Sequence, residues 1–355
     1  MNEAKPDFRQ EFTDKVIDAI ESGKPLPWER PWTAGISPQN AISGEEYQGM
    51  NRLILAIEML EKGYADPRFA TFKQAQDLGG SVAKGERGVL AERWEYAEFW
   101  QRPEVQVKEG ETRVQVRAVD GPSATLDTGR EVPKHTLQAE HKGKMYPWAQ
   151  AAQELNLAYS KVFTLFNVAQ CNGLKLEPLP ALTNKIEPED RFQSIKDAMA
   201  RDGLKFETGS AAFYLHSTDS VVTPPANAFK DVGGYQATVL HEIGHATGAE
   251  HRLSRDGITG GHEFGSEGYA KEELRAEFFS IFAAMETGIT RLRDEQHAAY
   301  LQIWIGAASD DKDEFFKAAD DAAKAVDYVI GKEHEMLQER EAAQAEPGRE
   351  FDLGL

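Results

Sequence analysis

Phe8, Phe12, Val16, Ile17 and Ile20 recur at the three-to-four-residue spacing of an amphipathic helix, and Gly23 stops the run. The pattern repeats from about Arg52 to Lys62, where Leu53, Ile54, Ile57 and Leu60 share a face closed by Gly63. Between the two runs lies Pro25-Leu26-Pro27-Trp28-Glu29-Arg30-Pro31-Trp32, too rich in proline for a helix or a central strand. A Gly79-Gly80 break and the basic turn Lys84-Gly85-Glu86-Arg87-Gly88 lead into a predicted strand, Val89 to Trp100. From Val105 to Val119 apolar residues alternate on either side of Lys108-Glu109-Gly110-Glu111, which reads as a hairpin. The polar stretch from Asp120 to Lys144 reads as loop, and Lys161 to Val168 as a buried strand.

Leu176-Glu177-Pro178-Leu179-Pro180 marks a linker. Beyond it a helix is predicted over Glu189 to Gly203, with Phe192, Ile195 and Met199 on one face. Ala211 to His216 and Ser220 to Thr223 read as short strands, the second ended by Pro224-Pro225, which would free its edge for a bound peptide. Ala270, Leu274, Phe278 and Phe282 again repeat at helical spacing, and Glu333 to Glu350 forms an acidic, helix-prone tail. The predicted fold class is α+β with two domains, residues 1–175 and 188–330, followed by the tail 331–355.

The second domain contains His241-Glu242-Ile243-Gly244-His245. Two histidines four apart on a helix project from one face, so both imidazoles can reach one metal ion. Glu242 then lies close enough to take a proton from a metal-bound water. Val239, Leu240 and Ile243 supply an apolar face away from the histidines, and Gly248 a stop one turn later. Imidazoles with a carboxylate suit zinc, expected at one site per chain.

Two residues compete to be the third protein ligand. His251 extends the run to the spacing of metzincins, but Met285, the only methionine soon after the motif, falls inside an apparent helix rather than a tight turn. Glu273 lies on a downstream helical run and shares a face with Glu277, which would accept the second N–H of a ligating histidine. We prefer Glu273. The bland alternative makes His251 a solvated residue and Glu272, Glu273 and Glu277 a charged helix face.

Composition narrows the setting. No apolar run approaches membrane-spanning length, and Met1-Asn2-Glu3-Ala4-Lys5 lacks the basic and hydrophobic regions of a signal peptide, so a cytoplasmic protein without membrane contact is expected. The lone Cys171 excludes an internal disulfide and a cysteine-based zinc cage, and is read as a core thiol. Net charge is −19 but uneven: residues 1–175 carry −3 and the remainder −16. An acidic surface repels phosphates, so any nucleic acid should meet the first half. There Trp28, Arg30, Trp32, Tyr47, Arg52, Lys73, Lys84 and Arg87 offer aromatics and cations for stacking on bases and tracking phosphates of a single strand.

Ordered matches along almost the whole chain resemble the ArdC antirestriction family of plasmids and other mobile elements. They include Trp28-Glu29-Arg30-Pro31-Trp32, Tyr47-Gln48-Gly49-Met50-Asn51, Thr71-Phe72-Lys73-Gln74-Ala75, Val162 to Asn167, His241 to His245 and His251-Arg252-Leu253-Ser254-Arg255. The segment from about Glu98 to Ala158 fits less clearly. The resemblance implies an N-terminal domain that binds single-stranded DNA, a C-terminal zincin-like metallopeptidase domain, and protection of incoming DNA from restriction. A glutamate as third ligand, of the gluzincin type, agrees with Glu273. Two readings follow. In one, a zinc peptidase acts on a restriction enzyme or another DNA-associated protein. In the other, the chain shields single-stranded DNA and zinc is structural. A phosphoesterase using the same metal is disfavoured by the acidity of the second half.

Overall fold

The computed structural model describes residues 7–22, 37–179, 188–263, 265–289 and 311–345. Its architecture is α+β. It forms two compact units, residues 1–89 with 164–355, and the intervening 90–163.

The larger unit begins with helix α1 (Phe8–Glu21), strand β1 (Gln39–Asn40), α2 (Gly49–Lys62), β2 (Arg68–Ala70), α3 (Phe72–Asp77) and β3 (Ser81–Val82). The chain enters the smaller unit along β4 (Val89–Ala97). There follow β5 (Gln106–Glu109), β6 (Thr112–Val114), β7 (Val116–Asp120), β8 (Ser123–Leu126), β9 (Glu131–Pro133), β10 (Leu137–His141), β11 (Lys144–Pro147) and α4 (Trp148–Glu154). Strand β12 (Leu157–Asn167) leads back, and its last residues pair with β2. The rest comprises β13 (Cys171–Asn172), α5 (Pro188–Arg201), β14 (Lys205–Thr208), β15 (Phe213–Leu215), β16 (Ser220–Thr223), α6 (Val232–Ala246), α7 (Asp256–Thr259), α8 (Glu267–Thr287) and α9 (Glu314–Ala345).

In the smaller unit the predicted hairpin forms between β5 and β6, with Val107 opposite Val114 and Gly110 in the turn. The stretch read as loop does not stay irregular: β8, β9 and β10 occupy it. Each of these strands buries only one or two side chains, Ala124 and Leu126, Val132, and Leu137 and Ala139, against Phe99 and Trp148. So few apolar positions per strand leave little alternation to read.

In the larger unit β16 is the central strand, parallel to β14 on one side and antiparallel to β15 on the other. The sheet's edges therefore belong to β14 and β15, and not to the strand ended by Pro224-Pro225. Strand β14, which the pattern did not announce, leaves Lys205, Glu207 and Thr208 exposed. Against this sheet packs α6, with Val239, Leu240 and Ile243 buried as predicted. Helices α6 and α8 approach closely at Gly244, where an added Cβ would come within 2.9 Å of the Phe279 ring.

The first two helices join the C-terminal ones. Phe8 and Phe12 of α1 meet Phe316 and Phe315 of α9 edge to face, with ring centres 5.6 and 6.3 Å apart. Helix α9 runs continuously across residue 331, where the acidic tail was expected to begin, because Glu333 and Met336 are buried and Arg201 of α5 pairs with Glu339. Cys171 is half-buried at the foot of β13, and burial pushes its thiol up.

Candidate metal centre

The side chain of Asp231 caps α6 by accepting from the Gly234 N–H at 2.8 Å, and the helix then runs unbroken through the histidine pair. His241 and His245 lie one turn apart with ring centres at 4.8 Å. Helix α8 brings Glu273 across from them. One carboxylate oxygen lies 3.4 Å from His241 Nε2 and the other 3.5 Å from His245 Nε2. Ligand atoms of His241, His245 and Glu273 all fall within 4.8 Å of one another, the only such trio of His, Cys, Asp or Glu among the described residues. His251 stands apart from it, 56% exposed, with Nε2 3.4 Å from Asp219.

The charges around this trio are strongly coupled. Burial alone would raise the Glu273 carboxyl, but the two imidazoles hold it well below the usual carboxylate range. Burial opposes a charge on His245, yet Glu273 and Glu272 push its imidazole up to about 10. Glu242 is buried, which raises its carboxyl, partly offset by His241 and His245 and by the backbone N–H of Tyr214 on β15. The general-base candidate thus sits between the histidine pair and the open strand edge.

Glu272, Glu273 and Glu277 are all buried on α8, so they are not a solvated face. The carboxylate that approaches His245 Nδ1, at 3.4 Å, is Glu272. Glu277 lies one turn beyond Glu273. Sequence reasoning missed Glu272 because it adjoins Glu273 in a run of charges. Its only sequence signal was the cost of burying a carboxylate, which requires a partner elsewhere in the chain. That partner is Arg255, whose Nε donates to Glu272 at 3.1 Å.

The residues expected to contact DNA differ in their surroundings. Trp28, Arg30 and Trp32 lie outside the described residues. Arg52 is a correction: its side chain is 2% exposed, pairs with Glu286 of α8 at 2.6 Å and stands over the Phe282 ring, so it holds α2 to α8 and is closed to phosphate. Tyr47 is half-buried, its hydroxyl accepting from Asn40. Lys73, Lys84 and Arg87 are exposed. Beside Lys73, Phe72 is 54% exposed. Thr71 and Gln74 form a reciprocal capping box that makes Phe72 the first residue of α3. Nothing in the apolar spacing distinguished it from a core aromatic.

A family model for a zincin-like metallopeptidase domain matches residues 193–321, and one for the N-terminal domain of the anti-restriction factor ArdC matches residues 6–166. Two proteins named DNA primase TraC from Escherichia coli are each 34% identical over 97% and 95% of this chain, which spans only 29% and 21% of their lengths. An uncharacterized protein, y4eC of Sinorhizobium fredii (strain NBRC 101917 / NGR234), is 31% identical over 91% of both chains. Crystal structures of the antirestriction ArdC protein from plasmid R388, metal-free and Mn(II)-bound, share 28% identity. Each superposes with a TM-score of 0.64, covering 93% and 92% of this chain and 99% and 98% of theirs. With both family models in order along one chain, and a full-length structural match, this protein belongs to the ArdC-like antirestriction family, with a zincin-like domain following the ArdC-type N-terminal domain.

Proposed function

We propose that this chain is an antirestriction protein that binds single-stranded DNA and carries a zinc peptidase centre. Its substrate would be a restriction enzyme or another DNA-associated protein. The observation that carries this reading is the convergence of His241, His245 and Glu273 within 4.8 Å, with buried Glu242 beside them. Two imidazoles and one carboxylate leave a fourth position open, the donor set of a catalytic rather than a structural zinc. The crowding of buried carboxylates around His245 favours an added positive charge, and a divalent ion in the ArdC protein of plasmid R388 is consistent with that.

When bound, the ion supplies Lewis acidity toward a peptide carbonyl. Glu242 accepts the proton of the attacking water at a carboxylate oxygen and returns it to the departing amine nitrogen. The open edge of β15 can hold a peptide backbone by strand addition, with Phe213 and Leu215, both exposed, to grip its side chains. For DNA, exposed Lys73, Lys84 and Arg87 offer phosphate contacts and Tyr47 and Phe72 aromatic rings, with Trp28, Arg30 and Trp32 completing the expected set. The likeness to proteins named as primases also suits a chain that handles DNA.

Glu242→Gln tests the reading. The variant should keep its zinc and its fold while hydrolysis of the protein target falls by about 10²–10⁴-fold, and antirestriction should fall with it. Antirestriction that persists unchanged would favour the alternative, a single-strand shield with structural zinc.

A further inference from the structure

Ten residues past His245, Arg255 reaches back to the end of the histidine helix. Its Nη2 donates to the Gly244 carbonyl at 2.7 Å and its Nη1 to the Thr247 hydroxyl at 2.7 Å. The same guanidinium grips Glu272 with two N–H groups, Nε to Oε2 at 3.1 Å and Nη2 to Oε1 at 2.5 Å. Both Arg255 and Glu272 are buried, at 9% and 2% side-chain exposure. Glu272 Oε1 in turn lies 3.4 Å from His245 Nδ1, while His245 Nε2 faces Glu273. One side chain therefore ties together the end of α6, the carboxylate behind one imidazole and the helix that carries Glu273.

The backbone is shaped to admit it. A Cβ at Gly248 would come within 3.0 Å of Arg255 Nη2 and 2.6 Å of Ile258, so only glycine leaves room for the guanidinium against the turn. A Cβ at Gly257 would meet Glu272 at 2.6 Å. Gly248 was read from sequence as a helix stop, and here it also admits the arginine.

We infer that Arg255 is a positioning residue of the metal centre. By holding the Glu272 carboxylate in place behind His245 Nδ1, it orients the imidazole so that Nε2 faces the site shared with His241 and Glu273. The fork geometry is what matters: a planar guanidinium can serve two carboxylate oxygens, a carbonyl and a hydroxyl at once, whereas a lysine ammonium cannot. Partners behind a ligating histidine typically tune metal affinity by about 10–100-fold. This inference rests on the reading of the centre as a metal site.

The test is zinc affinity of the full chain, measured by competition with a chromogenic chelator, for wild type, Arg255→Gln and Arg255→Lys. Circular dichroism and thermal unfolding of the metal-free proteins are recorded alongside. Arg255→Gln should bind zinc about 10–100-fold more weakly than wild type. Arg255→Lys, which keeps the charge and loses the fork, should fold and still bind about 10-fold more weakly. A lower melting temperature with unchanged zinc affinity in both variants would make Arg255 a structural strut and overturn the inference, leaving the metal site intact. Wild type that takes up no zinc would instead sink the metal reading and this inference with it.

Discussion

The guanidinium of Arg252 is fully buried and stands between two carboxylates, with Nε 2.8 Å from Asp202 and Nη1 2.7 Å from Asp219. Asp219 also accepts the Tyr214 hydroxyl at 2.9 Å, which anchors the edge strand beside Glu242. Burial alone would raise Asp219, but Arg252 and Tyr214 hold it below its ordinary 3.8. A folded value below the unfolded one means that this contribution to stability is fully present above about pH 5. It is lost as pH falls through the folded value. Asp219→Asn should cost about 3 kcal/mol at pH 7, since it leaves a buried cation half-paired, and should flatten the loss of stability below pH 4. Urea unfolding at both pH values checks this. Equal pH dependence in the variant and wild type would remove Asp219 from the acid response. Neither carboxylate partner of Arg252 was legible beforehand, because these ion pairs join residues 33 and 50 positions apart. The histidine pair was legible because its geometry is local, one helical turn.

Among elements, the long periodic runs declared themselves and the short ones did not. Helices α1 and α8 follow from apolar stripes of more than three turns and α2 from one of about two, while α6 was marked by its histidine pair. Strands of three to five residues in the smaller unit, such as β9 with only Val132 buried, carry too little pattern to separate from loop. Helix α8 also shows what periodicity hides. Its apolar positions were expected, but Glu272, Glu273 and Glu277 are buried as well, so it is enclosed nearly all round. A helix that buries three carboxylates from solvent holds them for partners, and one of these is Arg255. Charge in the sequence suggested a surface, and only the facing elements reveal the opposite.

For the whole molecule, the division into an ArdC-type N-terminal domain and a zincin-like domain is not a division into separable pieces. Helices α1 and α2 contribute Phe8, Phe12 and Arg52 to a helical layer whose other members, Phe315, Phe316 and Glu286, come from α8 and α9. Residues 1–175 produced alone should therefore expose that apolar face and leave Arg52 without its carboxylate. We expect the fragment to bind a hydrophobic dye and unfold without the cooperativity of the full chain. The full chain, in contrast, should bind single strands better than duplex, with affinity falling as salt rises. A fragment that unfolds as sharply and at the same temperature as the full chain would contradict this packing.

The central claim is most directly tested by zinc anomalous diffraction from crystals of the full chain. One peak per chain is predicted, about 2.0–2.2 Å from a nitrogen of His241, a nitrogen of His245 and a carboxylate oxygen of Glu273. A peak ligated by His251 in place of Glu273, or no peak between α6 and α8, would contradict it.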